Sequence, residues 1–290
     1  MVMTKMDTMT IRTFIALAEI RNFTKTAEQL FVAQSTVTNR IRDLEEELGK
    51  PLFIRNRKQI ELTPAGEKFL DYAQRFIQLE STVLQEMHGS TLFSRKIRIG
   101  TTNTIYECHL QKKLRAYLAQ PFATSLQVTI GHTADMLQDL QSGLLDAVFS
   151  FAPLFKEGYS CHEYRTDDMV LVVNAHNEEY AQGIYKDDLP TLNYLFCNFA
   201  LQGVGLFIQD LFPRHHRFPF EIDNSTKLPQ YVTAGLGYTF LPRSLIEDDL
   251  EQGRIREIPL LDFEPPKVSS YYITREPAGI PEELECILTK

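Results

Sequence analysis

The chain contains no tryptophan and only four cysteines, at positions 108, 161, 197 and 286. The closest two stand 36 residues apart, which excludes a CxxC redox pair and a cysteine-rich zinc module. A disulfide framework is not expected in a reducing cytosol. Long apolar runs are missing too. A stretch such as Met169–Val173 falls far short of the ~20 residues of a membrane-spanning helix. The N-terminus has no apolar signal core, so the expected location is the cytoplasm. No G-x-S-x-G, P-loop or H-E-x-x-H motif occurs, which removes common signatures of acyl transfer, nucleotide binding and zinc proteolysis. Cys108-His109 and Cys161-His162 offer no nucleophile–base pair, because adjacent residues of a helix or strand point in different directions. Neither has metal-ligand spacing. His215-His216 reads as a solvent loop by the same logic. No catalytic residue, metal or cofactor is expected, and the chain is not read as an enzyme.

What is present describes a globular protein. Its 290 residues, 43% hydrophobic and 23% charged, with 19 Phe and 12 Tyr, suit about two domains with sizeable cores. A net charge of −8 argues against nucleic acid until the chain is divided. Residues 1–64 carry ten Lys/Arg against eight Asp/Glu, and the remainder twenty against thirty. Acids of the first segment cluster at Glu45, Glu46 and Glu47, bases at Arg40 and Arg42 and again at Arg55, Arg57 and Lys58. Segregation of that kind can make one positive face on a small domain, the electrostatic footprint of a DNA binder.

Ile11, Phe14, Ile15, Leu17 and Ala18 recur at helical spacing and predict a first amphipathic helix. Thr24 is a good N-cap for a short second helix, Lys25–Leu30. Phe31-Val32-Ala33 is then a tight turn, and a third helix runs from Gln34 to Leu48 with Val37, Ile41 and Leu44 inward and Gly49 as its stop. Two short helices about a three-residue turn predict helix-turn-helix. Ala27 is small where the two would cross. The outward face of the third helix carries Gln34, Ser35, Thr38, Asn39 and Arg42, with Thr36 in its first turn. Short polar groups at a helix start, backed by an arginine, are the chemistry that reads base edges in a major groove.

The segment Pro51–Thr63 places two short apolar stretches around a basic tip and reads as a β-hairpin wing. Arg55, Arg57 and Lys58 are placed there to meet phosphates. Thr63-Pro64 marks the start of a helix that runs to about Met87. Phe69, Tyr72, Phe76, Leu79 and Val83 alternate by three and four along it, a heptad seam read as a dimerisation face. A dimer would set two reading helices on two half-sites.

These residues carry a specific resemblance. The stretch Phe23–Leu30, then Val32–Thr38, Ile41–Glu45, Leu48-Gly49, Pro51–Phe53 and Leu62–Gly66 is similar to the DNA-binding domain of the LysR-type transcriptional regulators. The resemblance implies base contacts by Gln34, Ser35, Thr38 and Asn39, and backbone contacts by Arg42 and Arg55. Ala33 departs from the family, which commonly has Ser there.

Beyond a plausible hinge at residues 88–95, strands and helices alternate. Strands are predicted at Lys96–Gly100, Leu126–Ile130 and Ala147–Phe151, with helices at Ile105–Leu118 and Ala134–Gln141. That βαβαβ order implies a parallel sheet. A second set follows: strands Met169–Asn174, Tyr194–Asn198, Phe218–Ile222 and Tyr238–Leu241, with helices about Gly205–Leu211 and Thr226–Ala234. The late strand Ser269–Thr274 could return to the first sheet, and a helix is expected near Glu282–Leu288. Ligands of such sheets sit beyond the carboxyl ends of strands. Those ends are polar at Thr101–Thr104, His132, Ser150, Asn198, Gln202-Gly203 and Asn224-Ser225.

Residues 96–290 resemble the family's effector domain through Ile97–Gly100, Leu145–Ala147 and Ala234–Pro242. The resemblance implies a small-molecule effector between two lobes that alters how a homotetramer holds its promoter. Carried over by position, the pocket is Thr101, Thr102, Asn103, His132, Ser150, Asn198 and Thr239. With no arginine at the strand ends, a monoanion or polar neutral molecule is favoured over a multiply charged one. Promoter DNA, a second copy and RNA polymerase are the expected partners. The alternative within the family is a cysteine-based redox sensor. The expected fold is α+β and multidomain: a winged helix-turn-helix over 1–63, a linker helix and hinge over 64–95, and a two-lobed α/β effector domain over 96–290. Lobe I would take about 96–163 and 265–290, and lobe II about 164–264.

Overall fold

A computed structural model describes residues 6–55, 60–88, 95–120, 124–197 and 204–276, with Phe93, Ile280, Glu282, Glu285 and Leu288. The chain divides into two compact units, Met1–Ser90 and Thr91–Lys290. Among the described residues no helix is long and apolar enough to cross a membrane.

In the first unit α1 (Thr8–Ile20), α2 (Phe23–Gln29) and α3 (Gln34–Leu48) precede an antiparallel hairpin, β1 (Phe53–Arg55) and β2 (Ile60–Leu62), and then α4 (Pro64–His88). The inward positions of the helical period make the core. Ile11, Phe14, Leu17, Ala27, Val37, Ile41 and Leu44 are buried together with Leu52, Phe53 and Ala73. Phe14 lies at the centre, its ring 5.3 Å from Phe53 and 4.9 Å from Phe69. The Asp7 carboxylate accepts the Thr10 N–H at 2.7 Å, and these bonds to Thr10 hold its pKa below the usual carboxylate value. The cap of α2 is Asn22, not Thr24: Asn22 Oδ1 accepts the Lys25 N–H at 3.0 Å. Both residue types cap well, and the earlier start lets Phe23 enter the helix and lean on the core. Gly49, at φ 64°, ends α3 in the left-handed region, and the Thr63 hydroxyl accepts the Gly66 N–H at the start of α4.

The second unit opens with β3 (Arg95–Thr101) and one helix in three parts: α5 (Asn103–Ile105), a π-turn (Tyr106–Leu110) and α6 (Gln111–Leu118). Then come β4 (Thr124–Ile130), α7 (Thr133–Ser142), β5 (Ala147–Ser150), β6 (Tyr159–Asp167) and β7 (Met169–Asn174). They are followed by β8 (Leu195–Cys197), α8 (Val204–Asp210), β9 (Phe220–Ile222), α9 (Leu228–Thr233), β10 (Thr239–Pro242), α10 (Glu247–Glu251), β11 (Ile255–Glu257) and β12 (Val268–Arg275).

The first lobe is a five-stranded sheet ordered β4-β3-β5-β12-β6. Its β3, β4 and β5 are parallel, while β12 and β6 are antiparallel to their neighbours. The late strand does return to this sheet. Strand β6 was not predicted, because its Cys161, His162, Glu163 and Arg165 do not read as a buried strand. As the sheet's edge it exposes much of their length, with Tyr164 turned inward. The second lobe is reached from β6 through Asp168 alone, with no crossover helix. Its sheet β10-β7-β11 is antiparallel, with the parallel pair β8-β9 joined to it through a bridge between Tyr194 and Tyr238. A buried cluster runs through both lobes, from Ile97, Ile99 and Phe149 to Val172 and Phe240. The helix expected near Glu282–Leu288 lies outside the described residues except for Glu282, Glu285 and Leu288.

Candidate DNA-reading surface and inter-lobe cleft

The N-terminal turns of α3 present polar side chains. Gln34, Ser35 and Asn39 are exposed, Thr36 and Thr38 half-buried. The Thr38 hydroxyl donates back to the Gln34 carbonyl at 3.1 Å. Residue Ala33 gives the helix no side-chain cap, so its first N–H groups face outward at the positive end of the helix dipole. Arg42 is exposed beside its own helix's acids, 3.5 Å from Asp43 and 3.8 Å from Glu46. Arg40 turns inward and donates to the Thr13 hydroxyl at 3.0 Å. Arg55 closes β1 opposite Ile60. Arg57 and Lys58 lie outside the described residues.

Glu45 holds this surface together, and the sequence reading placed it merely in an acidic cluster. Its Oε1 accepts the N–H of Leu52 at 2.8 Å and of Phe53 at 3.1 Å, which ties the first wing strand to the reading helix. Helical spacing carried the signal. Glu45 stands four residues after Ile41 and beside Leu44, on the inward side, whereas Glu46 and Glu47 are exposed. The seam expected on α4 divides. Phe69 packs into the core, while Tyr72, Phe76, Leu79 and Val83 form an exposed apolar row.

In the second unit Thr101 pairs in register with Ile130 and Phe149, so the carboxyl ends of β3, β4 and β5 lie side by side. Thr102 caps the following helix, its Oγ1 accepting the Ile105 N–H. His132 stands exposed before α7. Asn103 reaches the other lobe: its Nδ2 donates to Asn224 Oδ1 at 3.0 Å and to Thr226 Oγ1 at 2.8 Å. The hydroxyls of Thr104 and Ser225 meet at 3.1 Å. The polar strand end at Asn224-Ser225 is thus brought to Asn103, and Thr226, not among the expected residues, joins it.

Other expected pocket residues sit differently. Thr101 and Ser150 are wholly buried and bond their own strand ends, Thr101 to the Thr102 carbonyl and Ser150 to the carbonyl and N–H of Ala152. Thr239 is wholly buried. It stands at the start of β10 opposite Val172, whereas Pro242 at the other end pairs with Met169 beside the inter-lobe crossover. Because β10 runs antiparallel to β7, its carboxyl end and not its start meets the crossover. Asn198 lies outside the described residues.

The Cys-His neighbours diverge. The Cys108 side chain lies against Ser244, while His109 Nε2 lies 2.7 Å from Asp167 Oδ2, both nearly buried, with the Tyr164 ring edge-on to the histidine. His162 bonds Ser160 instead of its cysteine. Burial pushes the thiols of Cys108 and Cys197 up to about 12, and Cys286 lies outside the described residues. His215 is exposed as expected, but His216 is not a solvent residue, because its ring packs on Phe212 and Phe218 at 5.0 and 4.9 Å.

Comparison with known proteins agrees with this division. Residues 9–67 match the family model described as bacterial regulatory helix-turn-helix protein, lysR family, and residues 90–288 match the LysR substrate binding domain. The HTH-type transcriptional regulator CitR of Bacillus subtilis is 28% identical over 275 residues, covering 92% of this chain and 93% of its own. Full-length CbnR, a LysR family transcriptional regulator crystallised with its target DNA, shares the fold at a TM-score of 0.70 and 22% identity, over 98% of this chain and 97% of its own. ArgP from Mycobacterium tuberculosis does so at 0.60 and 19%, over 97% and 93%. With a helix-turn-helix match at one end and a substrate-domain match spanning most of the rest, the chain belongs to the LysR family of transcriptional regulators.

Proposed function

We propose that this regulator binds promoter DNA in the cytoplasm as a dimer of dimers, pairing through the apolar row of α4. Gln34, Ser35, Thr36, Thr38 and Asn39 read an imperfect palindrome, while Arg42, Arg55, Arg57 and Lys58 hold phosphates. A small effector, a monoanion or polar neutral molecule, binds between the lobes near Thr102, Asn103 and His132 and shifts an existing conformational balance. RNA polymerase is the downstream partner, and no enzymatic step is assigned. The observation that carries the reading is the exposed Gln34–Asn39 turn with its uncapped N–H groups, backed by a tethered wing. CbnR, with the same fold, was crystallised on its target DNA.

The test is selection from a random DNA pool with the full chain, followed by variants. Arg42→Ala should weaken binding to every selected site and reduce the salt slope by about one. Asn39→Ala should change the preferred sequence, by ~1–3 kcal/mol per lost base contact. An Asn39→Ala protein with unaltered preference overturns the base-reading assignment. Thermal unfolding against a panel of metabolites tests the effector, since a binder at 100 times its Kd stabilises by ~2.7 kcal/mol.

A further inference from the structure

We propose that the helix Asn103–Leu118 is a zipper between the two lobes, that its π-turn sets the register of the rungs, and that these rungs hold the lobes closed when no effector is bound. Its regulatory meaning rests on the effector reading above; its structural content does not.

One row of this helix meets the second lobe from Asn103 to Lys112. Asn103 bonds Asn224 and Thr226, Thr104 meets Ser225 at 3.1 Å, Cys108 lies against Ser244, and Lys112 Nζ lies 2.8 Å from Asp248 Oδ1. The neighbouring row is fastened to the first lobe. His109 pairs with Asp167 at 2.7 Å, and Lys113 donates to the Tyr164 hydroxyl at 3.1 Å.

Register explains how one row can reach so far. At 3.6 residues per turn, residues eight apart on an α-helix stand about 80° out of line. Thr104 and Lys112 are eight apart, yet both meet the second lobe. Between them the Gln111 N–H bonds the Tyr106 carbonyl, a step of five. A π-turn takes up one extra residue, which rotates the second half of the helix back and aligns 104, 108 and 112. Such turns are rare and concentrate at functional sites.

The rungs are strong enough to hold and weak enough to release. The rungs at Asn103 and Thr104 are neutral hydrogen bonds, and Cys108 against Ser244 is a packing contact. The fourth is an ion pair whose side chains are 66% and 60% exposed, so salt screens it. Each neutral rung should move the open–closed balance by roughly fivefold. Asn103 is the principal latch. Both its amide hydrogens are engaged, and Asn224 Oδ1 accepts from Asn103, from the Thr226 N–H at 3.1 Å and from the Thr226 hydroxyl at 2.8 Å. An effector seated at this end of the cleft must leave the latch shut or replace its bonds, which makes the seam a two-state element.

Amide hydrogen exchange of the full chain, with neither effector nor DNA, tests this. Asn103→Ala should speed exchange roughly fivefold to tenfold in both residues 103–106 and residues 225–228, while β3 and β7 exchange as in wild type. Thr226→Val should do the same, and the double variant should fall short of the product of the singles. Spin labels at Gln138→Cys and Gln209→Cys, on exposed positions of the two lobes, should show a broader distance distribution with Asn103→Ala than without. Deprotection confined to residues 103–106, or unchanged label distances, overturns the zipper. Faster exchange throughout β3 and β7 would mean global loosening and would overturn it too. None of these results needs an effector or an operator, so a failed zipper leaves the DNA and effector assignments standing, and a failed metabolite panel leaves the zipper standing.

Discussion

Replacing Glu45 by alanine should loosen the wing from the reading helix. The carboxylate accepts two backbone N–H groups, from Leu52 and Phe53 at 2.8 and 3.1 Å. Those residues are 1% and 5% exposed, so water has little access to replace the lost acceptor. Leaving a buried donor unmade costs ~1–3 kcal/mol. Two donors, with some relaxation around the smaller side chain, give about 2–4 kcal/mol. For a unit of this size each kcal/mol lowers Tm by ~4–8 °C, so its transition should fall by roughly 10–25 °C. Glu45→Gln keeps an acceptor and loses only the charge, about 1 kcal/mol. The order of stability is therefore Glu above Gln above Ala. Circular dichroism melting of the full chain measures it. Anisotropy titrations on duplex DNA at several salt concentrations should show a shallower salt slope for the alanine variant, as the first wing strand loses its tie to the reading helix. If Glu45→Ala melts with wild type, or Glu45→Gln is as damaging as alanine, the carboxylate does not hold the wing.

Gly66→Ala would place a Cβ 2.2 Å from the Leu52 carbonyl oxygen and 2.9 Å from Leu62 Cδ2; a clash with backbone should cost about 1–3 kcal/mol or more in urea unfolding, and a neutral result would show that α4 starts elsewhere. His109→Leu leaves the nearly buried Asp167 carboxylate without its 2.7 Å partner, for a loss of ~1–3 kcal/mol. Adding Asp167→Leu should recover most of it, and equal single and double variants would count against the pair. Burial holds the thiols of Cys108 and Cys197 at about 12, so maleimide should label Cys161 before either at neutral pH. Their own labelling should rise on the order of tenfold per pH unit. Labelling of Cys108 or Cys197 as fast as Cys161 at neutral pH would revive the redox-sensing alternative.

What was legible in the chain alone was local. The bounds of α3, Gln34–Leu48, follow from its 3.6-residue period and from a glycine that can enter the left-handed region at its end. Its reading face follows from which residues that period leaves outside. The α4 start is written in Thr63-Pro64, and the parallel core of the first lobe in the order of its strands. Strand β6 escaped because an edge strand half in water lacks the continuous apolar run of its neighbours. The cap at Asn22 was missed because two good capping residues stand two apart and only the packing of Phe23 chooses between them.

The helix-turn-helix, the wing, the long helix and the strand–helix alternation could be read without coordinates, because helix periods, caps and stops depend on residues within a turn or two of each other. It took the folded chain to show that Glu45 bonds the wing, that Thr239 is buried opposite Val172 and that Asn103 meets Asn224 and Thr226. Glu45 reaches the wing across the short turn after α3, whereas Asn103 and its partners are brought together by the return of the chain through both lobes. A hydrogen bond between residues 121 apart is set by the whole path between them, and nothing in the neighbourhood of either residue records it.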